Sequence, residues 1–295
     1  MTNVLTGLSA FVLTPMDADG VVDTDHLQRL VARLAERDVA SIGVVGSTGS
    51  YMYLSARERA RAMSAAVEAS GEKPVLAGIG DMRTDAVLGH ARAAEAAGVD
   101  ALLLSAVSYL PLTDRDFTAL ADAAAGASGL PICLYNNPGT THFTMSADLV
   151  ADLAQRATVA AVKNPAPSDP SAHLSMLRAR VPEGFVLGYS GDAVIAPALA
   201  AGAEAWYSVL AGSLPEPCIA MWQARGNQAE LAQLNDRLAP MWALFRDFGG
   251  IRVAPTVANL LGLGPIKLPL PLQPLPPEAV ARVEAALDAL HEVAA

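Results

Sequence analysis

Cysteine is scarce. The 295 residues include two, Cys133 and Cys218. They are far apart and lack metal-ligand spacing, which speaks against a disulfide framework and for two reduced thiols. Positive charge is also short, with Lys+Arg at 20 against Asp+Glu at 30 and a formal charge of −10. No basic run occurs, and phosphate backbones need clustered Lys and Arg, so nucleic acid is not expected as a main partner. A small anion held by a few local donors is still admissible. No apolar run reaches the length of a membrane span, so no membrane partner is expected. The segment Met1-Thr-Asn-Val-Leu-Thr6 lacks a charged region followed by an apolar stretch. No signal peptide is therefore expected, and the location read from it is cytoplasmic.

What the chain does have is a beat. Short apolar runs at Leu8–Leu13, Ser41–Val45, Val75–Ile79, Ala101–Leu104, Ile132–Tyr135, Val159–Val162, Phe185–Leu187 and Ala205–Val209 alternate with amphipathic stretches. Helix signals sit between them. Asp23-Thr-Asp25 precedes a stripe of Leu27, Leu30, Val31 and Leu34, Ser55-Ala-Arg-Glu58 has the capping-box pattern, and Gly98 closes Ala86–Ala97. Ser146 and Ser168–Ser171 mark further helix starts. Eight strand–helix units imply an α/β chain folded as a (β/α)₈ (TIM) barrel over residues 1–214. A doubly wound open sheet is the alternative, weakened by the missing dinucleotide fingerprint after the first strand. From Pro215 the beat is lost. Residues 215–295 read as a C-terminal helical extension with helices at Glu216–Arg225, Gln228–Phe248 and Pro277–Val293.

In such a barrel, chemistry gathers at the C-terminal strand ends. The sixth run ends in Lys163, a charged amine at the tip of a buried strand. Desolvation lowers a lysine pKa toward the range of a neutral nucleophile, able to form a Schiff base with a ketone. The bland reading is a solvated lysine capping a strand. The second run ends in Gly46-Ser-Thr-Gly49, which is either an anion nest or an ordinary turn. The fifth ends in Tyr135-Asn-Asn-Pro-Gly139, offering a phenol for proton relay or simple amphipathic packing. The fourth ends in Ser105–Tyr109 and the seventh in Tyr189-Ser-Gly-Asp192. The eighth, Trp206-Tyr-Ser-Val209, leads into Ala211-Gly212. The five histidines are scattered, and His142 is either near the pocket or on a surface loop. No metal or other cofactor is expected.

Gly46-Ser-Thr-Gly49, Tyr135-Asn-x-Pro-Gly139, Val162-Lys163, and Gly191-Asp192 followed by Gly202 and Ser208-Val209 resemble, in order and spacing, the dihydrodipicolinate synthase / N-acetylneuraminate lyase family. The resemblance runs from about Leu5 to the C-terminal helices. It implies a pyruvate-dependent class I lyase or aldolase, built as a homotetramer (a dimer of dimers). It also implies that Lys163 forms the Schiff base with a 2-keto acid, while Ser47 and Thr48, with Gly49, hold its carboxylate. Tyr135 would stand above the imine and share protons with Ser47 and with a second tyrosine from a neighbouring subunit. Tyr109 is the candidate for that tyrosine. Gly191 and Tyr207 would flank the keto-acid site.

Several positions depart from that pattern. Thr140 replaces the arginine that in dihydrodipicolinate synthases binds a second substrate carboxylate, and a neutral residue cannot serve as a bidentate partner. Ser50 stands where Glu is usual, and Leu110 follows Tyr109 where many members have a second aromatic. Tyr207 is bulky where small or aliphatic residues are common, and Gly212 replaces an asparagine. The expected activity is a Schiff-base lyase joining or cleaving pyruvate and an aldehyde whose identity stays open. A 2-keto-3-deoxy sugar acid dehydratase, a silent barrel with a binding role and, more faintly, a sugar-phosphate isomerase are the alternatives.

Overall fold

The computed structural model describes residues 4–292, so Val293, the last residue of the expected final helix, lies outside the described residues. Eight parallel strands close into one barrel in sequence order. They are β1 (Gly7–Phe11), β2 (Ser41–Val44), β3 (Val75–Gly78), β4 (Ala101–Ser105), β5 (Ile132–Tyr135), β6 (Val159–Pro165), β7 (Val186–Ser190) and β8 (Ala205–Ser208). Each coincides with one of the apolar runs. Strands covered on both faces bury side chains pointing either way, which is why the runs are mostly apolar rather than alternating.

The helices are α1 (Thr24–Ala35), α2 (Ala56–Ala69), α3 (Thr84–Ala97), α4 (Asp114–Ala125), α5 (Pro138–Thr141), α6 (Ala147–Leu153), α7 (Pro170–Arg178), α8 (Ala196–Ala200), α9 (Pro215–Gln223), α10 (Gln228–Arg237), α11 (Ala239–Phe248), α12 (Gly250–Leu260) and α13 (Pro277–Glu292). Their caps follow the local chemistry. Asp23 accepts from the His26 N–H at 2.9 Å, Ser146 caps α6, and Gly98 ends α3 at φ +82°. The Ser55 hydroxyl likewise accepts from the Glu58 N–H. The expected capping box stays half made, because the Glu58 carboxylate instead accepts from the Val22 N–H at 2.8 Å and ties α2 to the β1–α1 loop.

Alternation along the strands separates two cores. Side chains pointing out of the barrel meet the helices. Those pointing in, among them Phe11, Leu103, Cys133, Tyr135, Val186 and Tyr207, fill the lumen as a packed plug. The two cysteines are buried and unpaired. Helix α9 packs against β1 and completes the outer ring after β8, so the first helix beyond Pro215 belongs spatially to the barrel. Helices α10–α13 then pack alongside. No helix among the described residues is long and apolar enough to cross a membrane.

Candidate active site

Strand register brings the key side chains together. Ser105 pairs with Tyr135, Tyr135 with Lys163, and Lys163 with Gly188, so neighbouring strands present these residues to the lumen side by side. The β5 and β6 ends are clamped just above. The Asn136 side chain donates to Asn164 Oδ1 at 3.0 Å and accepts from the Met145 N–H at 3.0 Å.

Lys163 is 5 % exposed. Its Nζ lies 4.1 Å from the ring centroids of both Phe11 and Tyr135, and 5.6 Å from that of Tyr207. Burial holds its pKa down at about 8, opposed by the nearby Cys133 and Asp192. A group ordinarily charged up to pH 10.5 is thereby supplied partly as free amine at neutral pH. The surrounding ring faces partly compensate the cation that remains. Lys163 is thus a buried amine and not a strand cap in solvent.

The Tyr135 hydroxyl lies within hydrogen-bonding reach of Ser47, and burial pushes its pKa up to about 12. It is therefore a phenol that donates at neutral pH. Ser47 and Thr48 are placed by a sharp turn at Val45, a β-branched residue at φ +42°, in the region that favours glycine. Gly49 is buried, and a Cβ there would lie 2.8 Å from Thr14 Oγ1. Ser50 also adopts a positive φ, and its N–H and that of Tyr51 donate back to the Ser47 and Gly46 carbonyls. The four-residue motif is thus folded over the barrel mouth beside Lys163.

Asp192 is buried behind β8. It accepts from Trp206 Nε1 at 2.9 Å, Ser208 Oγ at 3.2 Å and the Val209 and Leu210 N–H groups at 3.0 and 2.7 Å. Burial still raises its pKa. Gly191, just before it, stands exposed at the end of β7 with φ +95°.

Other expected site residues fall elsewhere. Tyr207 lies inside the lumen, but its hydroxyl turns away from the mouth. It donates to the Leu5 carbonyl at 3.2 Å and accepts from the Cys133 thiol at 3.5 Å. Its ring, not its hydroxyl, faces the lysine. Thr140 is exposed on α5 and His142 just beyond it. Tyr109 is 91 % exposed and Leu110 68 %, so neither is buried beside Lys163 within this chain. Sequence reasoning missed Phe11, Tyr51 and Arg59. Only Phe11, the last residue of β1, carried a positional signal.

The profile of the Dihydrodipicolinate synthetase family matches residues 4–290. This chain belongs to that family. It is 31% identical over 295 residues to the 4-hydroxy-tetrahydrodipicolinate synthase of Salinibacter ruber, covering 97% of this chain and 96% of that one. It is 34% identical over 276 residues to the enzyme of the same name from Methanoculleus marisnigri, covering 90% of this chain and 92% of that one. A crystal structure of dihydrodipicolinate synthase from Agrobacterium tumefaciens superposes with a TM-score of 0.95 at 45% identity, covering 97% of this chain and 98% of that one. As a member of the dihydrodipicolinate synthetase family, the chain is a class I, Schiff-base-forming lyase of the barrel type. It acts on pyruvate and an aldehyde.

Proposed function

We propose that Lys163 carries the imine, that Ser47, Thr48 and the Gly49 turn hold the keto-acid carboxylate, and that Tyr135 moves the proton at the reacting aldehyde oxygen. The supporting observation is the desolvated Lys163 amine, ringed by Phe11 and Tyr135 at 4.1 Å with Ser47 at the Tyr135 hydroxyl. The neutral amine adds to the keto carbon, the hydroxyl leaves as water with a proton from Tyr135, and the resulting phenolate takes a proton from C3, whose C–H pair forms the enamine double bond. The enamine pair attacks the aldehyde carbon, and the aldehyde oxygen takes the Tyr135 proton. Holding the carboxylate fixes the carbonyl against the amine and lowers the entropic cost of attack.

The aldehyde we assign is one without a carboxylate at its far end, because Thr140 is neutral. Exposed Met52, Tyr53, Met82, Tyr109 and Leu110, on loops after β2, β3 and β4, support an oligomer in which another subunit covers this edge. A homotetramer in the cytoplasm is the assembly and place we infer.

Borohydride reduction in the presence of pyruvate tests the assignment. The chain's lysines are Lys73, Lys163 and Lys267, so peptide mass spectrometry locates the adduct without ambiguity. A reduced pyruvyl group on Lys163 is expected. Absence of any adduct from folded protein at mildly alkaline pH would overturn the reading.

A further inference from the structure

The mechanism above leaves one buried phenol at the mouth unused. Tyr51 is 6 % exposed and lies in the turn directly after Gly46–Ser50. Its hydroxyl is 2.8 Å from Ser105 Oγ. Ser105 is the register partner of Tyr135 on the adjacent strand. Space for the contact is kept by Gly80, where a Cβ would stand 2.1 Å from Ser105 Oγ and 3.2 Å from the Tyr51 hydroxyl. The Arg59 guanidinium lies 5.0 Å from the centre of the Tyr51 ring. Arg59 is itself buried, donating to the Gly80 carbonyl at 2.8 Å and paired with Asp81 at 3.3 Å. A phenol from the turn after β2, a hydroxyl from the end of β4 and a fixed cation from α2 are thus assembled on the strand next to Tyr135.

We infer that Tyr51 and Ser105 form, within a single chain, the second arm of the proton relay that serves Tyr135. This inference rests on the Schiff-base reading. It replaces a tyrosine from a neighbouring subunit with one in cis, and it accounts for Leu110 at the position beside the exposed Tyr109.

The relay balances in two steps. When the carbinolamine loses its hydroxyl, the carbon–oxygen bond breaks, and the leaving group takes a relay proton and departs as water. This leaves an iminium and one phenolate shared along Tyr135, Ser105 and Tyr51. That phenolate then takes a proton from C3, the carbon–hydrogen pair forms the enamine double bond, and the relay is neutral again. Burial raises the Tyr51 pKa and the neighbouring Tyr135 phenol raises it further, while the Ser105 hydrogen bond and the Arg59 cation draw it down.

The test needs no aldehyde. Pyruvate in D₂O exchanges its methyl hydrogens through the enamine, followed by proton NMR, while borohydride trapping on the same sample reports imine formation. Tyr51→Phe keeps the ring and its packing. It is expected to slow exchange roughly 10- to 100-fold, and imine formation with it, while KM for pyruvate and the fraction trapped once the imine has reached equilibrium stay unchanged. Ser105→Ala should match it, and the double variant should be no slower than either single, because the two act as one unit. Wild-type exchange by Tyr51→Phe would overturn the inference, as would parallel loss of equilibrium trapping and exchange, which marks structural support only. If wild-type protein neither traps nor exchanges, the Schiff-base reading itself has failed and the relay with it.

Discussion

Replacing Lys163 with methionine should abolish trapping and make the protein more stable. The folded state lowers this amine from 10.5 to about 8, chiefly by desolvation. At 1.36 kcal/mol per pKa unit, holding the protonated form costs about 3 kcal/mol at neutral pH. The aromatic faces at 4.1 Å return part of that, roughly 1–2 kcal/mol for a desolvated cation–π contact. A net gain of about 1–2 kcal/mol remains for Lys163→Met, whose unbranched chain fits the same slot. The sign can be followed with pH. Below pH 8 the amine is protonated in both states and the penalty is complete. Between 8 and 10.5 the folded protein has released its proton and the unfolded chain has not, so wild-type stability rises toward that of the variant. Above 10.5 the difference from this source is gone. Thermal melts of both proteins at pH 7 and pH 9.5 should show the variant several degrees ahead at pH 7 and a narrower gap at pH 9.5. A variant less stable than wild type at pH 7, with a gap that ignores pH, would refute the claim that Lys163 is held against its own solvation.

The same amine sets the pH profile of catalysis: the initial rate of borohydride trapping with pyruvate should climb through about pH 8 and level off above it, and a midpoint near 10.5 would mean the amine is solvated. Thr140→Arg places a cation at the mouth, and kcat/KM for aldehydes carrying a distal carboxylate should rise roughly 10-fold or more relative to neutral ones, since charge-assisted contacts contribute about 1.5–3 kcal/mol. No change in that ratio would remove Thr140 from the specificity account. Gly212→Ala puts a Cβ 2.0 Å from the Phe11 carbonyl oxygen, so β1 must shift. Thermal denaturation should show a loss of at least about 2 kcal/mol, in the range of overpacked cores.

All eight strands were legible because a strand buried on both faces leaves a mostly apolar run. Lys163 was legible for the converse reason, a charge at the end of such a run. The depth of a side chain in the lumen was not legible. Tyr207 reads as a mouth residue, yet its register with Ser9 sets the ring below Lys163 and sends the hydroxyl toward the barrel floor. Tyr51 was hidden because the turn carrying it depends on Val45 at φ +42°, a conformation that no propensity rule assigns to a β-branched residue. Helix α12 was hidden by Gly249-Gly250 at its start and by Pro255 inside it, signals that normally end helices. The expected single helix Gln228–Phe248 is two, broken at Leu238 ahead of Pro240.

The lumen below Lys163 is a stopper. Gly43 and Gly188 leave the hollows that the Phe11 and Tyr207 rings occupy, and the two rings meet edge to face with centroids 6.2 Å apart. Traffic to the imine carbon therefore comes through a single door. The keto acid must be seated before the aldehyde can stack above it, and in the cleavage direction the aldehyde must depart first. The water that would release pyruvate early enters by the same door. A seated aldehyde therefore shields the imine from hydrolysis, and the fraction of imine lost unproductively should fall as aldehyde concentration rises.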